Sequence, residues 1–199
     1  MVESIQLFPL NKHTKKIKVV QIASETDAML WQLRNFPGLP SSLEYFLKSD
    51  ILKVGHAISE DVVQLKNEFN ITSQHIFDTL PWAIEMNCKP LTLHALCAIF
   101  LGWRISKGLQ TSNWDRRELS MNQVHYACTD AWASLMLYKE MKSYAERNCY
   151  LFPLPIESVD NILDTRLDTK RKRRRRHVKN YKARRNYELM INNATFITE

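Results

Sequence analysis

Residues 121–147 constrain the fold of this chain more than any other stretch. Ser120-Met121-Asn122-Gln123 has the Ser-x-x-Gln spacing of a capping box, in which each end satisfies the other's backbone N–H, so a long helix opens there. Along it Val124, Cys128, Ala131, Leu135 and Tyr138 recur every three or four residues and draw one apolar stripe. Such a stripe has to lie on another layer. Tyr126 and Asp130 stand at its edge, four residues apart, so a phenol and a carboxylate project from one helix face.

The candidates for the other layer come early. Residues 2–8 and 17–23 are rich in β-formers and flank the polar turn Asn11-Lys12-His13-Thr14-Lys15, and 28–33 supplies a third strand. Ser41-Ser42-Leu43-Glu44 has the capping pattern and predicts a helix from about Ser41, and Ile51 to Gly55 reads as a short apolar strand. Ser59 is the expected N-cap of the next helix, which carries Asp61 in its first turn and Val62, Val63, Leu65 and Phe69 on its apolar side. Ile76 to Thr79 is a brief strand leading into a helix through Ala83, and Leu91 to Leu101 is a helix closing at Gly102. Pro153 and Pro155 end the regular structure. Strands first and alternating strands and helices afterwards predict an α/β fold, a mixed β-sheet flanked by helices.

The 199 residues divide into one domain over 1–150, a linker over 151–165 and a basic, disordered tail over 166–199. Residues 1–165 hold 16 Lys and Arg against 18 Asp and Glu, whereas 166–199 hold 12 against 3, so the net charge of +7 belongs to the tail. Its run Lys170-Arg171-Lys172-Arg173-Arg174-Arg175-Arg176 suits a polyanion, as an arm on a phosphate backbone or a nuclear-import signal, and Tyr181 and Tyr187 interleave with further basic residues. Cys88, Cys97, Cys128 and Cys149 lack zinc or disulfide spacing, and no apolar run reaches the roughly 20 residues of a membrane span. The expected setting is intracellular, with the nucleus favoured by the basic run and no membrane partner.

Glu3 on the first strand, Asp61 at a helix start and Asp130 within a helix come from three different elements, which is what carboxylates must do to surround a pair of divalent cations. Mg2+ or Mn2+ favours such oxygen ligands, and Tyr126, one turn before Asp130, is placed to orient an attacking water. His56, Asp78, Trp114, His94 and His125 read as structural: His56 as the support of a turn or a packing residue, Asp78 as the arranger of a strand-to-helix turn, Trp114 as a packing residue.

At this point the chain resembles the 3′-5′ exonucleases of the DEDD superfamily with a tyrosine in the third motif, the group of ribonuclease D and the Werner-syndrome-type exonuclease. Gly55-His56-x-x-x-x-Asp61 is similar to the second motif and Tyr126-x-x-x-Asp130 to the third, with Val19-Val20-Gln21-Ile22, Phe77-Asp78-Thr79 and Ser112-Asn113-Trp114 falling where the family has similar residues. The resemblance implies a ribonuclease H-like fold and two-metal hydrolysis at DNA or RNA 3′ ends, with Glu3, Asp61 and Asp130 as cation ligands and Tyr126 on the water. The family's first motif is Asp-x-Glu; here Met1-Val2-Glu3 takes its place and offers no residue for the Asp. Either the chain starts late, the reading favoured here, or the ligand is lacking. The chain as written is expected to be an impaired exonuclease, or else a noncatalytic nucleic-acid-binding scaffold that retains the fold.

Overall fold

The computed structural model describes residues 16–148, 152–160 and 162, and the backbone of 2–9. Its strands are β1 (Val2–Pro9), β2 (Ile17–Ala23), β3 (Ala28–Gln32), β4 (Leu52–Gly55), β5 (Gln74–Asp78) and β6 (Ile156–Ser158), joined in one sheet of order β3-β2-β1-β4-β5-β6. The first three form an antiparallel meander; β4 and β5 run parallel to β1, and β6 returns antiparallel to β5. The parallel pairings require crossovers, which α1 (Ser41–Lys48) and α2 (Ile58–Phe69) supply. Three further helices follow: α3 (Thr79–Glu85), α4 (Leu93–Leu101) and α5 (Met121–Arg147).

Period-2 alternation sorts the strand residues between two helical layers. Val54 and Phe77, in register on β4 and β5, are buried with Leu96, Ala133 and Leu137 under α4 and α5. Val19 and Leu30, on β2 and β3, pack with Tyr126 and Ala127 of α5 and with Trp114 of the preceding loop. The alternate rows belong to the other face: Ile22, Met29 and Trp31 line a hollow with Leu43 and Phe46 of α1. Lys53 is wholly buried on that face. Its ammonium donates to the Ser49 and Gln74 carbonyls and lies 5.5 Å from the centre of the Phe46 ring, so the burial of a charge is met by two acceptors and a π face.

Two local expectations are corrected. Ser41 lies inside α1 and Pro40 takes the N-cap position with no side-chain cap, so Ser41-x-x-Glu44 forms no capping box. The stretch read as the linker 151–165 contains β6, and Phe152 packs with Phe77, Trp82 and Tyr138. Val159 N donates to the Ser73 carbonyl at 3.1 Å and Lys66 pairs with Asp160 at 2.5 Å, so the segment up to Asp160 is tied into the domain. The chain divides into units Met1–Asn161 and Ile162–Glu199, and every named element belongs to the first. Lys170 to Arg176 lie outside the described residues. Among the described residues no helix is long and apolar enough to cross a membrane.

Candidate active site

The site is built on the first turns of α5. Ser120 Oγ accepts the Gln123 amide at 3.3 Å and Gln123 Oε1 accepts the Ser120 amide at 3.0 Å, completing the predicted capping box. Gln123 is buried, and its Nε2 also donates to Ser112 Oγ at 3.1 Å and to the Asn113 carbonyl at 3.0 Å. One side chain thus starts the helix and anchors the loop before it. That loop delivers Trp114, fully buried, against Tyr126, with ring centroids 6.1 Å apart. Trp114 and Gln123 set the position of the phenol, a role sequence reading gave to neither.

Tyr126 and Asp130 are both buried, one turn apart. Burial raises the Asp130 carboxyl from its ordinary 3.8 to about 7, and the neighbouring Tyr126 hydroxyl pulls it partway back. Asp130 Oδ1 is buried and has no hydrogen-bond partner among the described residues. Burial, and then the Asp130 charge, push the Tyr126 phenol upward, so it stays a neutral donor at physiological pH. The buried Cys97 thiol is pushed up to about 12, by burial first and the Asp130 charge second. A buried carboxyl with an oxygen left over among the described residues has the chemistry to take a cation. The fit to a hard divalent ion lies in that orphaned oxygen.

Asp61 is half-buried in the first turn of α2 and is presented by the turn after β4. The expected Ser59 cap is not formed. Ala57 is the N-cap, in the left-handed region at φ 62°, and the cap is supplied from β5: the Asp78 carboxylate accepts the Ala57 amide at 2.9 Å and the Ser59 amide at 3.1 Å. Asp78 also accepts the Leu80 amide at 3.0 Å as the N-cap of α3. The other side of the turn rests on His56. Its Nε2 donates to the Leu91 carbonyl at 2.8 Å, which leaves Nδ1, 3.1 Å from Thr79 Oγ1, as acceptor in the neutral ring that burial favours. Both residues are turn supports, as expected.

Glu3 lies on β1 in register with Lys53 of β4. Its side chain is outside what is described. Both α2 and α5 pack against β1. The structure brings Tyr126 and Asp130 together; among the described residues no three His, Cys, Asp or Glu side chains gather as a metal group. Beside Tyr126 a cleft of about 420 Å³ opens between the loop residues Ile105, Ser106, Gly108 and Leu109 and the α5 residues Asn122, His125 and Thr129. It leads from the surface to the phenol.

A mixed sheet of this strand order, with a buried carboxyl and a phenol on its long covering helix beside an open cleft, has the ribonuclease H-like arrangement of the nucleases. The chain belongs to the 3′-5′ exonuclease family, whose profile matches residues 3–146. It is similar to ribonuclease D of Xanthomonas oryzae, 31% identical over 107 residues that are 53% of this chain and 30% of that protein. It is also similar to the mouse bifunctional 3′-5′ exonuclease/ATP-dependent helicase WRN, 28% identical over 141 residues, 67% of this chain and 10% of that one. Among solved structures, Brucella melitensis NrnC bound to pGG superposes with a TM-score of 0.65 at 26% identity over 74% of each chain. The same protein with bound Mg2+ gives 0.64 at 25%, again over 74% of each chain. This chain spans less than half the length of the curated relatives it matches, which are hydrolases of the 3′-5′ exonuclease class.

Proposed function

We propose that this protein takes the 3′ end of a DNA or RNA strand into the cleft beside Tyr126 and hydrolyses its terminal phosphodiester by the family's metal-dependent route, at a rate impaired by the missing first-motif Asp. The carrying observation is the buried Asp130 carboxyl, one oxygen of which has no partner among the described residues, one helical turn from the phenol. Asp61 and Asp130 are the residues to hold Mg2+ or Mn2+; when bound, such ions ready a water and offset charge on the departing oxygen. Tyr126, kept protonated by its surroundings, donates to the attacking water and fixes its direction. Asn122, His125 and Thr129 offer polar groups to the sugar-phosphate along the cleft wall. The binding of pGG by the similar Brucella protein supports a nucleic-acid substrate.

The run Lys170 to Arg176 adds sequence-independent phosphate contacts and carries the signal for the nucleus. A second reading, binding without turnover on a retained scaffold, is favoured by the neutral residues that flank Glu3 on β1. The test is anisotropy of a labelled single-stranded oligonucleotide in Mn2+. Linear strands should bind more tightly than a circular strand of equal length, and Asp130→Asn should remove the difference. Equal affinity for linear and circular strands contradicts 3′-end recognition.

A further inference from the structure

The pairing of β1 separates its one acidic residue from the face that carries Asp130. On β2 and β3, the rows containing Val19 and Leu30 belong to the α5 face, because both residues pack with Tyr126 and Ala127. Leu30 is in register with Gln21, and Gln21 with Gln6 of β1. Ser4 is in register with Ala23 on one side and Val54 on the other, and Val54 is buried with the α5 residues Ala133 and Leu137. The rows through Ser4 and Gln6 are therefore those that α5 covers. Glu3 falls in the alternate row with Lys53, whose side chain lies against Phe46 of α1 on the opposite face.

A second observation stands in the same row. Gln21, opposite Gln6, is fully buried on the α5 face, and neither atom of its amide finds a partner among the described residues. The row beside the site is thus lined by a neutral polar group.

We infer that Ser4-Ile5-Gln6, not Met1-Val2-Glu3, occupies the place of the first-motif Asp-x-Glu, so that both first-strand carboxylates are replaced by neutral residues and the site takes one divalent cation instead of a pair. The inference rests on the proposed reading of Asp61 and Asp130 as cation ligands. Two divalent ions bring four positive charges, and two carboxylates return two. At a separation of roughly 4 Å, repulsion between the ions dominates unless further anions lie between them. The hydroxyl of serine and the amide of glutamine are weak oxygen donors that leave this charge uncompensated.

The experiment is calorimetric Mn2+ titration of the full chain, of Glu3→Gln, and of the double variant Ser4→Asp, Gln6→Glu, with 3′ degradation of a labelled single strand followed in parallel. The expected stoichiometry is one ion for the wild type, one for Glu3→Gln, and two for the double variant. Degradation in the double variant should rise by about 100-fold or more, the scale of correcting a misplaced reacting group. Two ions on the wild type, or loss of the ion in Glu3→Gln, overturns the inference. These two titrations decide it even where the double variant does not fold. A wild type that takes no ion, with linear and circular strands bound alike, overturns the reading of the site itself and with it this inference.

Discussion

Asp78, on β5, accepts the backbone amide of Ala57 across the sheet at 2.9 Å and so holds the turn from which α2 presents Asp61. One carboxylate replaces the local cap that α2 lacks, accepts the Ser59 amide as well, and caps α3 through Leu80. Asp78→Ala strands three amide donors in a partly buried place. Charge-assisted bonds of this kind contribute about 1.5–3 kcal/mol each and are not additive, so a loss of about 3 kcal/mol is expected. Urea unfolding measures it, and a change under 1 kcal/mol would show that water takes over the role.

Ala57 carries the cost of that turn. At φ 62° its Cβ sits in the left-handed region, where a non-glycine residue is strained by about 1–2 kcal/mol. Ala57→Gly releases the strain and gives back about 0.5–1 kcal/mol as unfolded-state entropy. A net gain of about 0.5 kcal/mol is expected in the denaturant midpoint at unchanged slope, and a loss would mean that the turn is not held as described.

Asp130 makes stability depend on pH. Its carboxyl has an ordinary value of 3.8 and a folded value of about 7, so folding favours the protonated form. The contribution is fully present below the unfolded value and is lost as pH rises through the folded one, on the order of 4 kcal/mol at most across that window. Asp130→Asn should flatten the decline between pH 5 and 8 and be more stable than wild type at pH 8. Saturating Mn2+ should restore the wild type at pH 8 and leave the variant unchanged. Parallel pH curves for the two proteins would rule out the buried carboxyl as the source.

The tail supplies salt dependence. Removing residues 166–199 takes away 12 Lys and Arg, seven of them in the run Lys170 to Arg176. If about half of those seven contact phosphates, the slope of log affinity against log salt should fall by about 2–3 for single strands. An unchanged slope dismisses the arm.

Much of this was legible in the sequence because its signals are local. Ser120 and Gln123 lie three residues apart and cap each other; Tyr126 and Asp130 share a helix face by spacing alone. What the sequence concealed is nonlocal. The cap of α2 comes from Asp78, 21 residues beyond Ala57, so the local candidate Ser59 was misleading. Ser41 was passed over for Pro40, whose extended backbone starts α1 without any side-chain bond. Ile156 to Ser158 are too short to register as a strand until the edge of β5 is there to pair with. Glu3 was the obvious acid on β1, yet alternation along one strand does not say which row faces the long helix. Only its pairing with Lys53 on one side and the Gln6–Gln21 pairing on the other assign the faces.

The most direct test of the account is anomalous diffraction from crystals of the full chain grown with Mn2+. A peak at the Asp130 carboxyl, which would hold the ion together with Asp61, is expected. A peak elsewhere, with Asp130 still unliganded at saturating Mn2+, would contradict it.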